Sequence, residues 1–344
     1  MWKYLLSIVI FCIVLFIYLH VNYHLKTSND LEIYELDNGT KDKLEEVCEL
    51  RQPFIFDFYN KAIHQNINKT TILGKYNTFD LNVRNTKDPD YNNEIYLPLQ
   101  SKTAFKLFDD DNTSSYVSEK NQEFIQETGL LKLFQSNDES IRPGLTNLCN
   151  YDFSTGSKNS TTPFRYEINH RNYFYVTSGS VEIKLAPPMA ARYLHSAEDY
   201  DNFEFRSPIN PWLIQDEYAD DVNKINFMDV LLQEGKMIHI PPYWWYSFRY
   251  KEDTGIASFK YRTYMSTLSI LPHLGMHLLQ SQNVKHKIAK KYEAVIKEPV
   301  VTGSSNIDDL KPLAHSDELP VLNPATNPVE EIEIPLTVGE IASN

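Results

Sequence analysis

Cysteine and positive charge are both scarce in this chain. Only three cysteines occur in 344 residues, Cys12, Cys48 and Cys149. Cys12 lies in an apolar run, and the spacing of the other two matches no zinc site, so a zinc ribbon or thiolate cluster is excluded. Cys48 and Cys149 are expected as buried free thiols rather than as a disulfide. Lys and Arg number 33 against 46 Asp and Glu, a formal charge of −13. No local basic patch offsets that balance, which argues against nucleic acid as a partner. Nucleophile elbow, P-loop and internal repeat are all missing. From Pro299 to Asn344 there is no Phe, Trp or Tyr, and acidic residues face Lys311 alone. Such a segment buries too little apolar surface to offset chain ordering, so 299–344 is expected to be a disordered acidic, Pro-rich tail.

What is present begins with an apolar run. Tyr4–Val21 is eighteen residues with only Ser7 and His20 clearly polar. At 1.5 Å per residue it reaches about 27 Å, close to a hydrocarbon core of ~30 Å. Tyr4, Tyr18 and Tyr23 stand where interfacial aromatics are expected. No small-x-small cleavage site follows, so an uncleaved single-pass anchor is expected over a signal peptide, with the lipid bilayer as its partner. Its orientation is not determined by Lys3 against Lys26. The sequons at Asn38, Asn68, Asn112 and Asn159 do not fix it either, because a chain this rich in Asn, Ser and Thr yields about that many by chance. The wealth of Asn, Tyr, Ile and Lys is what an AT-rich genome encodes, such as that of a large DNA virus.

The 42% hydrophobic content suits one sizeable globular core. Three parts are expected: an anchor over 1–26, a domain over 27–298 and the tail. Leu31–Leu36 alternates as a strand, Lys41–Leu50 has the period of a helix, and Gln52–Phe58 reads as a buried strand. Thr71–Leu73 and Glu94–Leu97 read as short alternating pieces, and Tyr116–Leu133 as helix. Asn172–Pro188 is a two-strand unit about the Ser178-Gly179 turn. Ser269–Ile296 reads as one or two amphipathic helices expected to pack against their own barrel, with a protein partner or a second copy on that face as the alternative.

The most informative stretch is Leu231–Phe248. Glu234-Gly235 makes a turn, and Lys236–Ile240 is a short strand suited to a half-buried surface. Pro241-Pro242 ends it, since proline cannot donate to a ladder. Trp244-Trp245 then buries apolar area and Tyr246 opens the next strand. This run, together with Asn172–Pro188 and its Leu185-Ala186-Pro187-Pro188 ending, resembles the cupin-like/JmjC-type hydroxylases. The likeness spans roughly residues 31 to 295. The resemblance implies a double-stranded β-helix, mainly β with flanking helices, which in that family holds Fe(II) and 2-oxoglutarate.

The resemblance also locates the family's ligands. Two imidazoles and a carboxylate on one face of the metal are needed. The distal His of Ile-Pro-x-x-Trp-Trp-His corresponds to Tyr246. The His-x-Asp pair falls on Tyr166 and Ile168 in one register, counted from Gly179, and on Arg165 and Glu167 in another, set by Thr162-Pro163. Neither register supplies His, and arginine has no lone pair to donate. The cosubstrate lysine of one branch of the family falls on Val181, with Lys184 on the opposite face. Lys260, on a strand that lines the family's pocket, is the remaining cosubstrate-pocket candidate. His170, His239, His273, His277 and His195 are expected to be structural or surface residues. The expectation is a membrane-anchored, non-catalytic binding or scaffold protein without a cofactor, in other words a pseudoenzyme. The alternative is an Fe(II)/2-oxoglutarate-dependent protein hydroxylase with ligands displaced to histidines such as His170 and His239.

Overall fold

Alternating apolar residues build two sheets that face each other, and the faces they turn outward are covered by helices and long loops. A computed structural model describes residues 2–37, 39–87, 96–200 and 202–286. The calls for 287–344, the acidic tail included, therefore lie outside the described residues. In chain order the strands are β1 (Tyr34–Leu36), β2 (Phe54–Asp57), β3 (Asp80–Asn85), β4 (Leu97–Gln100), β5 (Tyr116–Ser118), β6 (Thr146–Gly156) and β7 (Arg165–Tyr166). After them come β8 (Arg171–Ser178), β9 (Ser180–Ala186), β10 (Ala197–Asp199), β11 (Glu204–Arg206), β12 (Met228–Gln233), β13 (Lys236–His239), β14 (Trp245–Tyr250) and β15 (Gly255–Thr263). The helices are α1 (Trp2–Leu25), α2 (Lys41–Cys48), α3 (Lys61–Asn66), α4 (Lys69–Lys75), α5 (Ser101–Asp110), α6 (Gln122–Glu127), α7 (Leu130–Asn137), α8 (Ala219–Val222), α9 (Tyr264–Ser269) and α10 (Leu271–His286).

The larger sheet runs β1-β2-β13-β8-β15-β6-β5-β3-β4 and the smaller β10-β11-β7-β14-β9-β12. The chain crosses between the sheets from β8 to β9, from β12 to β13, from β13 to β14 and from β14 to β15, which is the double-stranded β-helix. Period-two alternation decides which side chains fill the space between them. Phe174 and Val176 of β8, Val181, Ile183 and Leu185 of β9, and Tyr246, Phe248 and Tyr250 of β14 form one buried interior cluster. The outer face of the larger sheet carries Phe54, Phe56, Tyr173, Tyr175, Phe259 and Tyr261, packed under the helices between β1 and β6. Trp245 faces out from the smaller sheet onto Phe164 and Ile209. Trp244 and Trp245 are both fully buried. Each such side chain removes roughly 150–250 Å² from water, a gross gain of about 4–6 kcal/mol.

Two turns need glycine. Gly179, between β8 and β9, has φ +68, and a Cβ there would meet the Glu252 carbonyl oxygen at 2.7 Å. Gly235, between β12 and β13, has φ +87. The strands expected at 172–188, 236–240 and from Tyr246 all form, within a residue or so of the expected ends.

Two sequence expectations change. Thr71–Leu73 belongs to α4 rather than to an extended piece, because the Asn68 side chain caps that helix by accepting from the Thr71 amide at 2.8 Å. Tyr116–Ser118 is strand β5 rather than helix, paired between β3 and β6. Helix resumes at Gln122 and breaks at Gly129, whose φ is +73. Of Glu94–Leu97, only the end is described, and β4 starts at Leu97. The 269–296 segment is the end of α9 followed by α10, the latter described as far as His286. It rests on its own domain: His277 Nδ1 lies 2.6 Å from the Tyr200 carbonyl and Leu274 packs with Ile168 and Phe205. The three cysteines are free thiols, Cys48 buried and Cys149 half-buried.

α1 is long and apolar enough to cross a membrane, and its eighteen-residue apolar window is unburied. Only its final turns, around His20, Val21, Tyr23 and His24, are partly covered.

Candidate functional site

β7 is only two residues long, yet it fixes the chemistry of one end of the barrel. Tyr246 is the Cα partner of Arg165 and Trp245 that of Tyr166, while β11 pairs with β7 from the other side. Alternation then sends Arg165 and Glu167 inward and Tyr166 and Ile168 outward. The Tyr166 ring stacks on Phe205 with centroids 4.9 Å apart, and Ile168 packs beside Phe205 and Ile270. Among the five positions suggested by the sequence, the interior therefore brings together three, Arg165, Glu167 and Tyr246. Lys260 joins them from β15.

These four are tied into a network. Tyr246 Oη donates to Glu167 Oε1 at 3.1 Å, and Lys260 Nζ donates to the same oxygen at 2.6 Å. Asn169 Nδ2 donates to Glu167 Oε2 at 3.1 Å and in turn accepts from Arg262 Nε at 2.6 Å. Arg165 is ion-paired with Glu119, and its guanidinium carbon lies 5.8 Å from the Tyr246 ring centre. Arg84 Nε stands 3.6 Å from Glu119 Oε1, which also accepts from Tyr96 Oη at 3.1 Å. The Asp152 carboxylate accepts from the backbone amides of Lys120 and Asn121.

The electrostatics follow from burial and pairing. Burial alone would raise Glu119, but the Arg165 and Arg84 guanidinium groups beside it hold its carboxyl well below the usual range. For Glu167, burial likewise pushes up, and Lys260 outweighs it, so the group stays ionised below its ordinary value. Burial and the Glu167 charge push the Tyr246 phenol well above 10, leaving it a neutral donor. Asp152 has no such strong partner: burial raises it to about 6, partly opposed by Lys260.

The side chains present do not fit an iron centre of the 2-oxoglutarate type. At the matching positions only Glu167 carries a carboxylate, and its Oε1 already holds Lys260 and Tyr246. Arg165 has no lone pair, and Tyr246 keeps its proton. Among the described residues no group of three His, Cys, Asp or Glu converges on one point. His239 lies with Phe54, Tyr173 and Cys48 on the far side of the larger sheet from Tyr246. His170 stacks edgewise on His24, and His273 and His277 pack against Tyr200, Phe205 and Phe203. His195 sits outside the barrel, 2.9 Å from Asp221. Val181 is buried interior, and Lys184 faces out onto Trp212 and Asp229.

Sequence reasoning missed Glu119, Arg84 and Asp152. Glu119 was hidden because β5, which it directly follows, was read as helix. Asp152 had a legible signal: Asn150, Asp152 and Ser154 alternate with the apolar Tyr151 and Phe153 along one strand, which marks a polar inner face.

The fold and this network define a mainly β, double-stranded β-helix protein whose barrel interior is polar at one end. Residues 20–263 match the cupin-like domain family, and the chain belongs to it. No curated protein sequence matches the chain.

Proposed function

We propose that this is a membrane-anchored cupin-like protein that binds or scaffolds without catalysing, its former ligand positions converted into an internal ion-pair network. The observation that carries this reading is the state of Glu167. Its carboxylate is shared by Lys260 and Tyr246, while a guanidinium occupies the neighbouring ligand position. A buried charge that has satisfied partners is costly to withdraw, so metal entry would have to break two hydrogen bonds and leave Lys260 uncompensated. Binding of a small acid by Arg165 meets the same obstacle, because Glu119 already neutralises it.

The anchor is α1, with a mean hydropathy of 2.6 over its apolar window. The domain is then held at a bilayer surface, where it presents its outer faces to a protein partner. The decisive experiment measures bound iron and succinate production on the full chain, purified in detergent with Fe(II) and 2-oxoglutarate supplied. We expect neither stoichiometric iron nor turnover. Iron at one equivalent together with succinate would overturn the reading and restore the hydroxylase alternative.

A further inference from the structure

The end of α1 is built into the domain rather than tethered to it. The Tyr23 carbonyl accepts from Arg51 Nη2 at 3.4 Å, and the Arg51 guanidinium lies 4.9 Å from the centre of the Tyr23 ring. His24 and His170 rings meet with centroids 4.8 Å apart. Arg51 and His170 are both buried, and α1 also packs on α9. The apolar run ends at Val21, so the residues at headgroup depth are Asn22–His24, of which Tyr23 and His24 are already fixed to the domain. A helix joined in this way leaves no linker along which the domain could swing.

Exposed apolar side chains surround that junction. Tyr264, the first residue of α9, is 64% exposed, and its amide donates to the carbonyl of Leu145 at 3.2 Å. Leu145 is 82% exposed and sits at φ +52, a conformation that leucine adopts only at a cost. Leu271, at the start of α10, is 52% exposed. β15 runs straight into α9, so the Lys260–Thr263 end of the barrel faces this junction. The Asp253 turn lies at the other end, roughly 30 Å away along nine residues of strand.

We propose that the surface formed by Leu145, Tyr264 and Leu271 is a lipid-contact face that seats the domain directly on the bilayer, with the polar end of the barrel toward the membrane. The proposal rests on α1 spanning that bilayer. Lipid is the occupant because the patch adjoins the exit point of an apolar helix of membrane length. Single leucines and tyrosines at headgroup depth also gain from partial burial there.

The test uses the full chain in nanodiscs holding one copy each. In a Cys12→Ala, Cys149→Ser background, which leaves only buried Cys48, the variants Leu145→Cys, Tyr264→Cys and the distal control Lys158→Cys each carry an environment-sensitive fluorophore. Nitroxide-bearing lipids should quench the labels at 145 and 264 several-fold more than the label at 158, with blue-shifted emission at the first two. Equal, weak quenching at all three positions would overturn the proposal, as would protection of 145 and 264 that appears only with a second copy or a soluble protein. Alkaline carbonate extraction separates the two ideas. Release from membranes defeats the anchor itself, whereas retention with unquenched labels defeats only the seating.

Discussion

At the residue scale, Glu119 is the member of the barrel network whose loss should be felt most. It is 3% exposed at the side chain and faces Arg165, which is 14% exposed. Glu119→Gln leaves a buried guanidinium without its anion, and the expected cost is about 3–5 kcal/mol in denaturant unfolding. The double variant Glu119→Gln, Arg165→Met should recover part of that loss, since the apolar replacement removes one of the two guanidinium groups, Arg165 and Arg84, that Glu119 faces. Tyr246→Phe, by contrast, removes one hydrogen bond from a carboxylate that keeps Lys260, and should cost only about 1–2 kcal/mol.

Two carboxyls in the same interior should act on stability with opposite sign. Glu167 is depressed in the folded state, so its contribution is present above its unfolded value and is lost as pH falls through the lower folded one. Asp152 is raised to about 6. The folded chain therefore holds that proton more tightly than the unfolded chain, and stability declines as pH climbs from about 4 to 6. Asp152→Asn should flatten that decline, worth on the order of 2 kcal/mol, in unfolding midpoints compared at pH 4.5 and 7. An unchanged slope would show that Asp152 titrates normally.

At the element scale, the β8–β9 turn and the β7–β14 pair make separate predictions. Gly179→Ala places a Cβ against the Glu252 carbonyl at a left-handed φ, and should destabilise by more than about 1 kcal/mol in thermal melts. The β7–β14 register offers a constructive test of the site. Arg165→His with Tyr246→His puts two imidazoles beside Glu167 on strands already paired in register. We expect this double variant to bind Co(II) or Ni(II) with visible absorption while the unmodified chain does not. Failure to bind that persists when Lys260→Met is added, which frees Glu167 from its ammonium partner, would mean that positions 165 and 246 do not form a metal site with Glu167.

These elements also mark what sequence reasoning reached. The Ile240–Trp245 run and the Gly179 turn were legible because proline, glycine and paired tryptophans restrict backbone and burial almost irrespective of context. β5 was not, because three residues carry no periodicity of their own, and only pairing with β3 and β6 makes Tyr116–Ser118 extended. Thr71–Leu73 failed for a related reason, since a cap at Asn68 outweighed local alternation.

For the whole molecule, the match over residues 20–263 begins inside α1, and the first contacts of the domain begin there too. Arg51 and His170 clasp the last turn of the helix, so α1 and the barrel should behave as one cooperative unit. Arg51→Ala should therefore loosen the junction and lower the melting temperature of the detergent-solubilised chain by a few degrees, consistent with about 1–2 kcal/mol. If the melting temperature is unchanged but amide exchange at residues 22–26 accelerates, the clasp is local and the helix does not unfold cooperatively with the barrel.

The sequence by itself made the apolar helix legible through residue type and length, and the barrel through the resemblance of the Asn172–Pro188 and Leu231–Phe248 runs to the cupin-like family, because proline, glycine and paired tryptophans constrain those runs locally. Only the tertiary structure decided between the two registers at Arg165–Ile168. It also recruited Glu119, Arg84 and Asp152 to the same interior and set His170 and His239 apart from Tyr246. Those outcomes depend on which face of a strand turns inward and on charges far apart in the chain compensating one another once water is excluded, and neither is written in any local stretch of residues.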